Sequence, residues 1–137
     1  MKPMAIVACI LLLLAGGASA AELQYSYGTT PPKVPLQTAA TTGNGDECNL
    51  RSANSAATVT IDWSTGVDAG VVTVEVAGSC GYTGTWTSWA VIAFNYGGLT
   101  VPRQDQVGIN QPVGCVRTRI STTVTTGTVS TTVSAVR

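Results

Sequence analysis

The stretch CVRTRISTTVTTGTVSTTVSAV, residues 115–136, carries the clearest structural signal in the chain. Val116, Thr118, Ile120, Thr122 and Val124 alternate with Arg117, Arg119, Ser121 and Thr123, the period of two expected of a strand with one buried and one wet face. Val129, Thr131, Val133 and Ala135 repeat the pattern against Ser130, Thr132 and Ser134. Threonine and valine dominate because β-branched side chains suit a pleated surface and lose χ1 freedom in a helix. A turn centred on Thr126 and Gly127 would fold the two arms into a hairpin, with Val124 opposite Val129 and Ile120 opposite Val133.

The same period extends upstream. Val59, Ile61 and Trp63 alternate with Thr58, Thr60 and Asp62, and Val72, Val74 and Val76 alternate with Thr73 and Glu75 across a loop over 64–70, which predicts two antiparallel strands. A turn region over 78–84 leads into a third strand, 85–94. There Trp86, Ala90, Ile92 and Phe94 share one parity, and Trp89, Val91 and Ala93 the other. With apolar residues on both faces, this strand is either central and covered on both sides or carries an exposed aromatic patch. Leu99 to Val101 reads as a short apolar piece, Arg103 to Asp105 as a polar turn and Gln106 to Ile109 as a short strand. Roughly seven short strands, with glycine-rich turns about every 8 to 12 residues, predict an all-β chain folded as an antiparallel, jelly-roll-like β-sandwich.

Before Thr58 the pattern lapses. Residues 1–20 read as a secretory signal peptide: Lys2, an apolar run from Met4 to Leu14, then the small residues Ala18-Ser19-Ala20 at the cleavage site. The run falls short of the about 20 apolar residues that span a bilayer, although an uncleaved anchor is the competing reading. A lipid-modified Cys9 fits poorly, because the apolar run mostly follows that cysteine rather than preceding it. Residues 21–57 hold Pro31-Pro32, Pro35 and the loop-like run over 41–46, and read as an extended arm with at most one short strand at Leu23, Tyr25 and Tyr27. The arm either moves freely or lies along a sheet edge of this domain or a neighbour. The sandwich is expected over 58–137. The mature protein is thus expected to be secreted, whether periplasmic, on the cell surface or extracellular, with no membrane association.

Seven basic and seven acidic residues leave a formal net charge of zero at pH 7. They are scattered, so neither a nucleic-acid stripe nor a polybasic membrane patch is predicted. Once Cys9 leaves with the signal, Cys48, Cys80 and Cys115 remain, an odd number for an oxidising compartment. All three pairings are open. Cys80 with Cys115 is favoured because one follows a predicted strand and the other opens the C-terminal pair, placing both at one end of the sandwich. Cys48, in a polar loop, is then the candidate free thiol or the one left for a bond between chains.

From about Val59 onward the chain resembles a small β-sandwich module that recurs in tailed-phage structural and virion-associated proteins. The matching pieces are Val72-Thr73-Val74-Glu75-Val76 with Gly78-Ser79, then Thr85-Trp86, then Cys115-Val116-Arg117-Thr118-Arg119-Ile120 running into Thr125-Thr126-Gly127-Thr128-Val129. The resemblance covers a little over half the chain and implies a packing, decoration or surface-binding role without catalysis. The signal peptide departs from it, since virion parts assembled in the cytosol need no export, and this favours a cell-envelope or extracellular setting.

Chemistry is sparse. The chain has no histidine, which removes imidazole bases, His-based triads and imidazole metal ligands. Asp62 and Glu75 occupy outward positions on neighbouring predicted strands, where they could approach the about 5 to 9.5 Å that glycan cleavage requires, although ordinary solvent-facing charge is the favoured reading. Asn44, Asp46 and Glu47 offer too few oxygens for calcium, which takes about six to eight, so no metal or other cofactor is expected. Arg117 and Arg119 project from one strand face, near Glu75, and suit a carboxylate or a charged sugar. Trp86 and Trp89 cannot share a face of one strand; Trp89, with Tyr82 and Tyr96 at the strand ends, is the candidate sugar-stacking or protein-anchoring platform, against the favoured plainer reading that both tryptophans pack in the core or beneath the N-terminal arm. The expected function is a non-enzymatic structural or surface-interaction module contacting other protein subunits or surface glycans. A homo-oligomer would form through the arm or Cys48. The alternative is a carbohydrate-binding module, and a small glycan-cleaving enzyme is the weakest reading.

Overall fold

The computed structural model describes residues 20–22, 33–50, 56–95 and 97–135. The signal segment up to residue 19, the strand considered at Leu23, Tyr25 and Tyr27, and Tyr96 lie outside the described residues. Among those described there is no helix, and the strands are β1 (Ala21–Glu22), β2 (Val34–Ala40), β3 (Gly43–Asn44), β4 (Cys48–Asn49), β5 (Ala57–Trp63), β6 (Ala69–Ala77), β7 (Thr87–Asn95), β8 (Arg103–Ile109), β9 (Cys115–Thr125) and β10 (Val129–Ala135). They form two sheets. Sheet A runs β1-β4-β9-β6-β7, with β3 also on β9, and sheet B runs β2-β10-β5-β8; every pairing is antiparallel except β1 with β4.

The alternation over 115–135 sorts most side chains as expected: Val116, Thr118, Ile120 and Val124 are buried from β9, and Val129, Thr131, Val133 and Ala135 from β10, but Thr122, expected on the buried face, is exposed where the register with β6 shifts between Val71 and Val72. The hairpin does not form. β9 pairs with β6 in sheet A and β10 with β5 in sheet B, so Ile120 and Val133 line the core from different layers. β5 and β6 likewise belong to different sheets rather than to one antiparallel pair. Together they make one long two-stranded ribbon bent at a corner. Trp63 pairs with Val129 on one side of the bend and Ala69 with Thr125 on the other.

Hydrogen bonds carry the pairing round the corner: Ser64 N–H donates to Thr128 O at 2.9 Å, Thr128 N–H to Ser64 Oγ at 2.8 Å, and Asp68 N–H to Thr125 O at 3.0 Å. The expected turn residues do turn the chain, Thr126 at φ 51° and Gly127 at φ 67°. The left-handed region is costly for a β-branched residue, and Thr126 Oγ1 donates to Asp68 Oδ2 at 2.8 Å to hold it there. Leu99, expected to start a short apolar piece, ties into the same corner instead, donating its N–H to Val67 O at 3.0 Å.

The domain starts earlier than the lapse in periodicity implies. β2 lies within the 21–57 arm and forms the outer strand of sheet B, where Pro35 is tolerated because an edge strand has one side without ladder bonds. β8 also starts early: Arg103 to Asp105, expected as a turn, opens the strand. β7 is an edge strand, not a central one. A bulge between Ala90 and Ser88 leaves Trp89 outside the regular register, while Val91 and Ala93, the other apolar residues of that parity, are exposed on the outer face.

The core lies between the sheets, centred on Trp63, Ile61, Val72, Val74, Val116 and Val133, with Phe94 at 5.5 Å between ring centroids from Trp63. One polar chain crosses it. Thr118 Oγ1 lies 2.7 Å from Thr131 Oγ1 and donates to Gln37 Oε1 at 3.0 Å, while Gln37 Nε2 donates to Gly43 O at 3.1 Å. This joins β9, β10 and β2 where hydrophobic contact alone gives little directional preference.

Candidate functional site

β6 and β9 lie side by side in the middle of sheet A, so their outward residues fall into rows. One row runs Ser88, Glu75, Arg117; the next runs Val91, Thr73, Arg119, Asn44. Arg117 Nε donates to Glu75 Oε2 at 2.8 Å, and Arg119 Nε to Oε1 at 2.7 Å, so both carboxylate oxygens are engaged. The burial is graded: the Glu75 side chain is 6% exposed, Arg117 19% and Arg119 45%. A carboxylate taken out of water needs such partners, because unpaired burial costs several kcal/mol, of the order of a buried ion.

The segment between β6 and β7 supplies the third component. The Arg117 guanidinium carbon stands 4.2 Å from the Trp86 ring centroid, a cation–π contact, and Trp86 Nε1–H donates to Tyr82 O at 3.1 Å. The Cys80–Cys115 disulfide pins this segment to the start of β9, with Cα atoms 5.1 Å apart. Gly81 N–H adds a bond to Glu47 Oε2. Tyr82 stays open to solvent at 47% exposure beside this assembly.

The structure brings Arg117 and Arg119 together on Glu75, links Tyr82 to them only through its backbone carbonyl and Trp86, and leaves Trp89 elsewhere. Trp89 packs against the core and donates Nε1–H to Gly108 O at 2.9 Å, bridging the sheets at their β7/β8 edge. It does not share a stacking platform with Tyr82. Trp86, read from sequence as part of the strand over 85–94, is instead the aromatic partner of Arg117, held in the segment before β7.

The favoured disulfide is present, and a disulfide is compatible with an oxidising, extracellular compartment. Cys48, expected in a polar loop, is instead fully buried in β4, so in the folded subunit its sulfur is not presented for a bond between chains. Asp62 and Glu75 face outward from different sheets, with both layers between them; stacked sheets alone stand about 10 Å apart, so this pair cannot flank one scissile bond. Glu47 turns toward the disulfide rather than toward Asn44 and Asp46. Among the described residues its carboxylate and the sulfurs of Cys80 and Cys115 form the group with metal-ligand spacing, but both sulfurs are committed to each other.

A second polar group lies at the far edge. Trp63 Nε1–H donates to Asp105 Oδ2 at 2.9 Å, Arg103 pairs with Asp105 at 2.8 Å, and the Arg103 guanidinium sits 5.4 Å from the Phe94 ring centroid. Charges placed at the end of an edge strand discourage edge-to-edge pairing, which explains this group without a ligand. No helix among the described residues is long and apolar enough to cross a membrane. Compared with family models, curated proteins and solved structures, the chain matches none.

Proposed function

We propose that this chain is an exported, non-enzymatic β-sandwich that serves as a structural or surface-interaction module, with the outer face of sheet A as its contact surface. The observation that carries this reading is the location of the ionic cluster: Glu75, Arg117 and Arg119 lie on the outside of the sandwich, braced by Trp86 and the disulfide. The strand orders β2-β10-β5-β8 and β4-β9-β6-β7, built on a folded ribbon, support a jelly-roll reading of the sandwich. Jelly rolls serve in capsids and lectins alike, so topology supports a binding or packing role only by analogy. The resemblance of the segment from Val59 onward to tailed-phage β-sandwich modules points the same way, and the signal-like leader with the disulfide supports export.

Carbohydrate binding is the second reading, favoured by the two arginines and by the exposed Tyr82 in the segment that carries Trp86, rather than by the Trp89 platform. An arm used for assembly would be confined to residues before Val34, since β2 belongs to the sandwich. The test uses residues 21–137 purified with the disulfide intact. Co-sedimentation with isolated cell-envelope material, or concentration-dependent self-association by light scattering, is expected. A monomer that binds neither and turns over a glycan or ester substrate would overturn the proposal.

A further inference from the structure

We infer that the outer face of sheet A binds a carboxylate-bearing saccharide, a uronate polymer, with Arg119 and Arg117 receiving the carboxylate; this rests on the reading of that face as the contact surface. Charge comes first. One arginine neutralises one glutamate, yet Glu75 has two, and the stacked, mostly buried Arg117 already fills that role. Arg119 adds a positive charge at 45% side-chain exposure. Both arginines engage Glu75 through Nε, so their Nη donors stand outside the ion pair. A planar pair of Nη donors matches a carboxylate, and Glu75 and Trp86 hold the guanidinium groups in place before any ligand arrives.

The rest of the face separates a saccharide from an acidic peptide. Peptides commonly bind sheets by pairing their backbone with an open edge. β6 and β9 are already hydrogen-bonded on both sides, so a ligand lying over them must be read by side chains alone. The side chains beside the arginines are hydroxyl and amide groups, Ser88, Ser121 and Asn44, all exposed. Val91 adds an exposed apolar side chain on the face, and Tyr82 an exposed ring in the adjoining segment between β6 and β7. Hydroxyl edges, an apolar ring face and a carboxylate are what a uronate presents.

Isothermal titration calorimetry and amide chemical-shift mapping with hexagalacturonate test the inference, alongside the carboxyl-reduced neutral hexamer and hexaglutamate. Hexagalacturonate alone is expected to bind, more weakly as salt rises, with shifts centred on β6, β9 and residues 81–86. Arg119→Ala should weaken binding about tenfold or more while the β-sheet circular dichroism is kept and the melt falls only as far as the lost Glu75 contact requires, and Arg119→Lys should restore binding only in part. Tyr82→Ala, on an exposed side chain, should weaken it without disturbing the fold. Equal binding of the neutral hexamer, indifference to Arg119→Ala, or preference for hexaglutamate overturns the inference. If hexagalacturonate fails while envelope material still binds, the uronate assignment falls and the interaction-module reading stands; if both fail, both fall.

Discussion

Trp89 reaches from the edge strand of one sheet to the backbone of the other, its indole N–H 2.9 Å from the carbonyl of Gly108. That bond is the described hydrogen bond linking β7 to β8, where each sheet ends in an open edge. Trp89→Phe keeps most of the packing and removes the donor, so it should cost about 1 kcal/mol of stability. Hydrogen exchange at Val107–Ile109 should quicken, while hexagalacturonate binding should be untouched. Loss of binding in this variant would restore Trp89 to the ligand face.

Thr118 and Thr131 share a hydrogen bond at the centre of the sandwich, where neither is exposed. Thr118→Val also strips Gln37 Oε1 of its donor and should cost about 1 to 3 kcal/mol. Adding Thr131→Val should cost little more, giving a coupling of about 1 kcal/mol in a denaturation cycle. Strictly additive losses would mean that the two hydroxyls act independently.

Gly114 has no room for a side chain. A Cβ there would run into the carbonyl of Gly78, whereas a Cβ on Gly78 would meet nothing within 4 Å. Gly114→Ala should therefore cost about 2 kcal/mol or more and slow oxidation of the neighbouring disulfide, with Gly78→Ala near neutral as its control. Equal melting temperatures for the two variants would contradict the close approach.

The Cys80–Cys115 bond closes a loop with a sequence separation of 35. The double variant Cys80→Ser, Cys115→Ser should lose about 2 to 4 kcal/mol of stability yet keep its β-sheet circular dichroism. Because the bond anchors the segment carrying Tyr82 and Trp86, tryptophan emission should shift to the red as Trp86 loosens from Arg117. Unchanged emission would show that the ion pair alone holds Trp86.

The inside and outside positions of the strands were legible because alternation reports burial directly, as at Val116, Thr118 and Ile120. Pairing was not legible: a Thr126–Gly127 turn closes a hairpin or bends a ribbon between layers equally well, and Val124 and Val129 face the core in both cases. β2 was obscured because Leu36 and Gln37, adjacent in sequence, are both buried, which breaks the period of two at the end of the sandwich. Trp89 misled because a bulge moves it out of register, and a bulge leaves no mark in a strand rich in apolar residues on both parities. The Glu75–Arg117–Arg119 contact was readable from strand parity; the contribution of Trp86 depended on a disulfide loop that strand parity does not describe.

The folded ribbon also sets when the molecule can exist at all. β9 and β10, the last of the described strands in chain order, occupy interior places in their sheets, between β4 and β6 and between β2 and β5. Until they emerge, β5 with β8 and β6 with β7 are two separate fragments, and β2 and β3 have nothing to pair with. A chain still being synthesised or threaded through a narrow channel therefore stays open until β9 and β10 are released, and the two layers close only then.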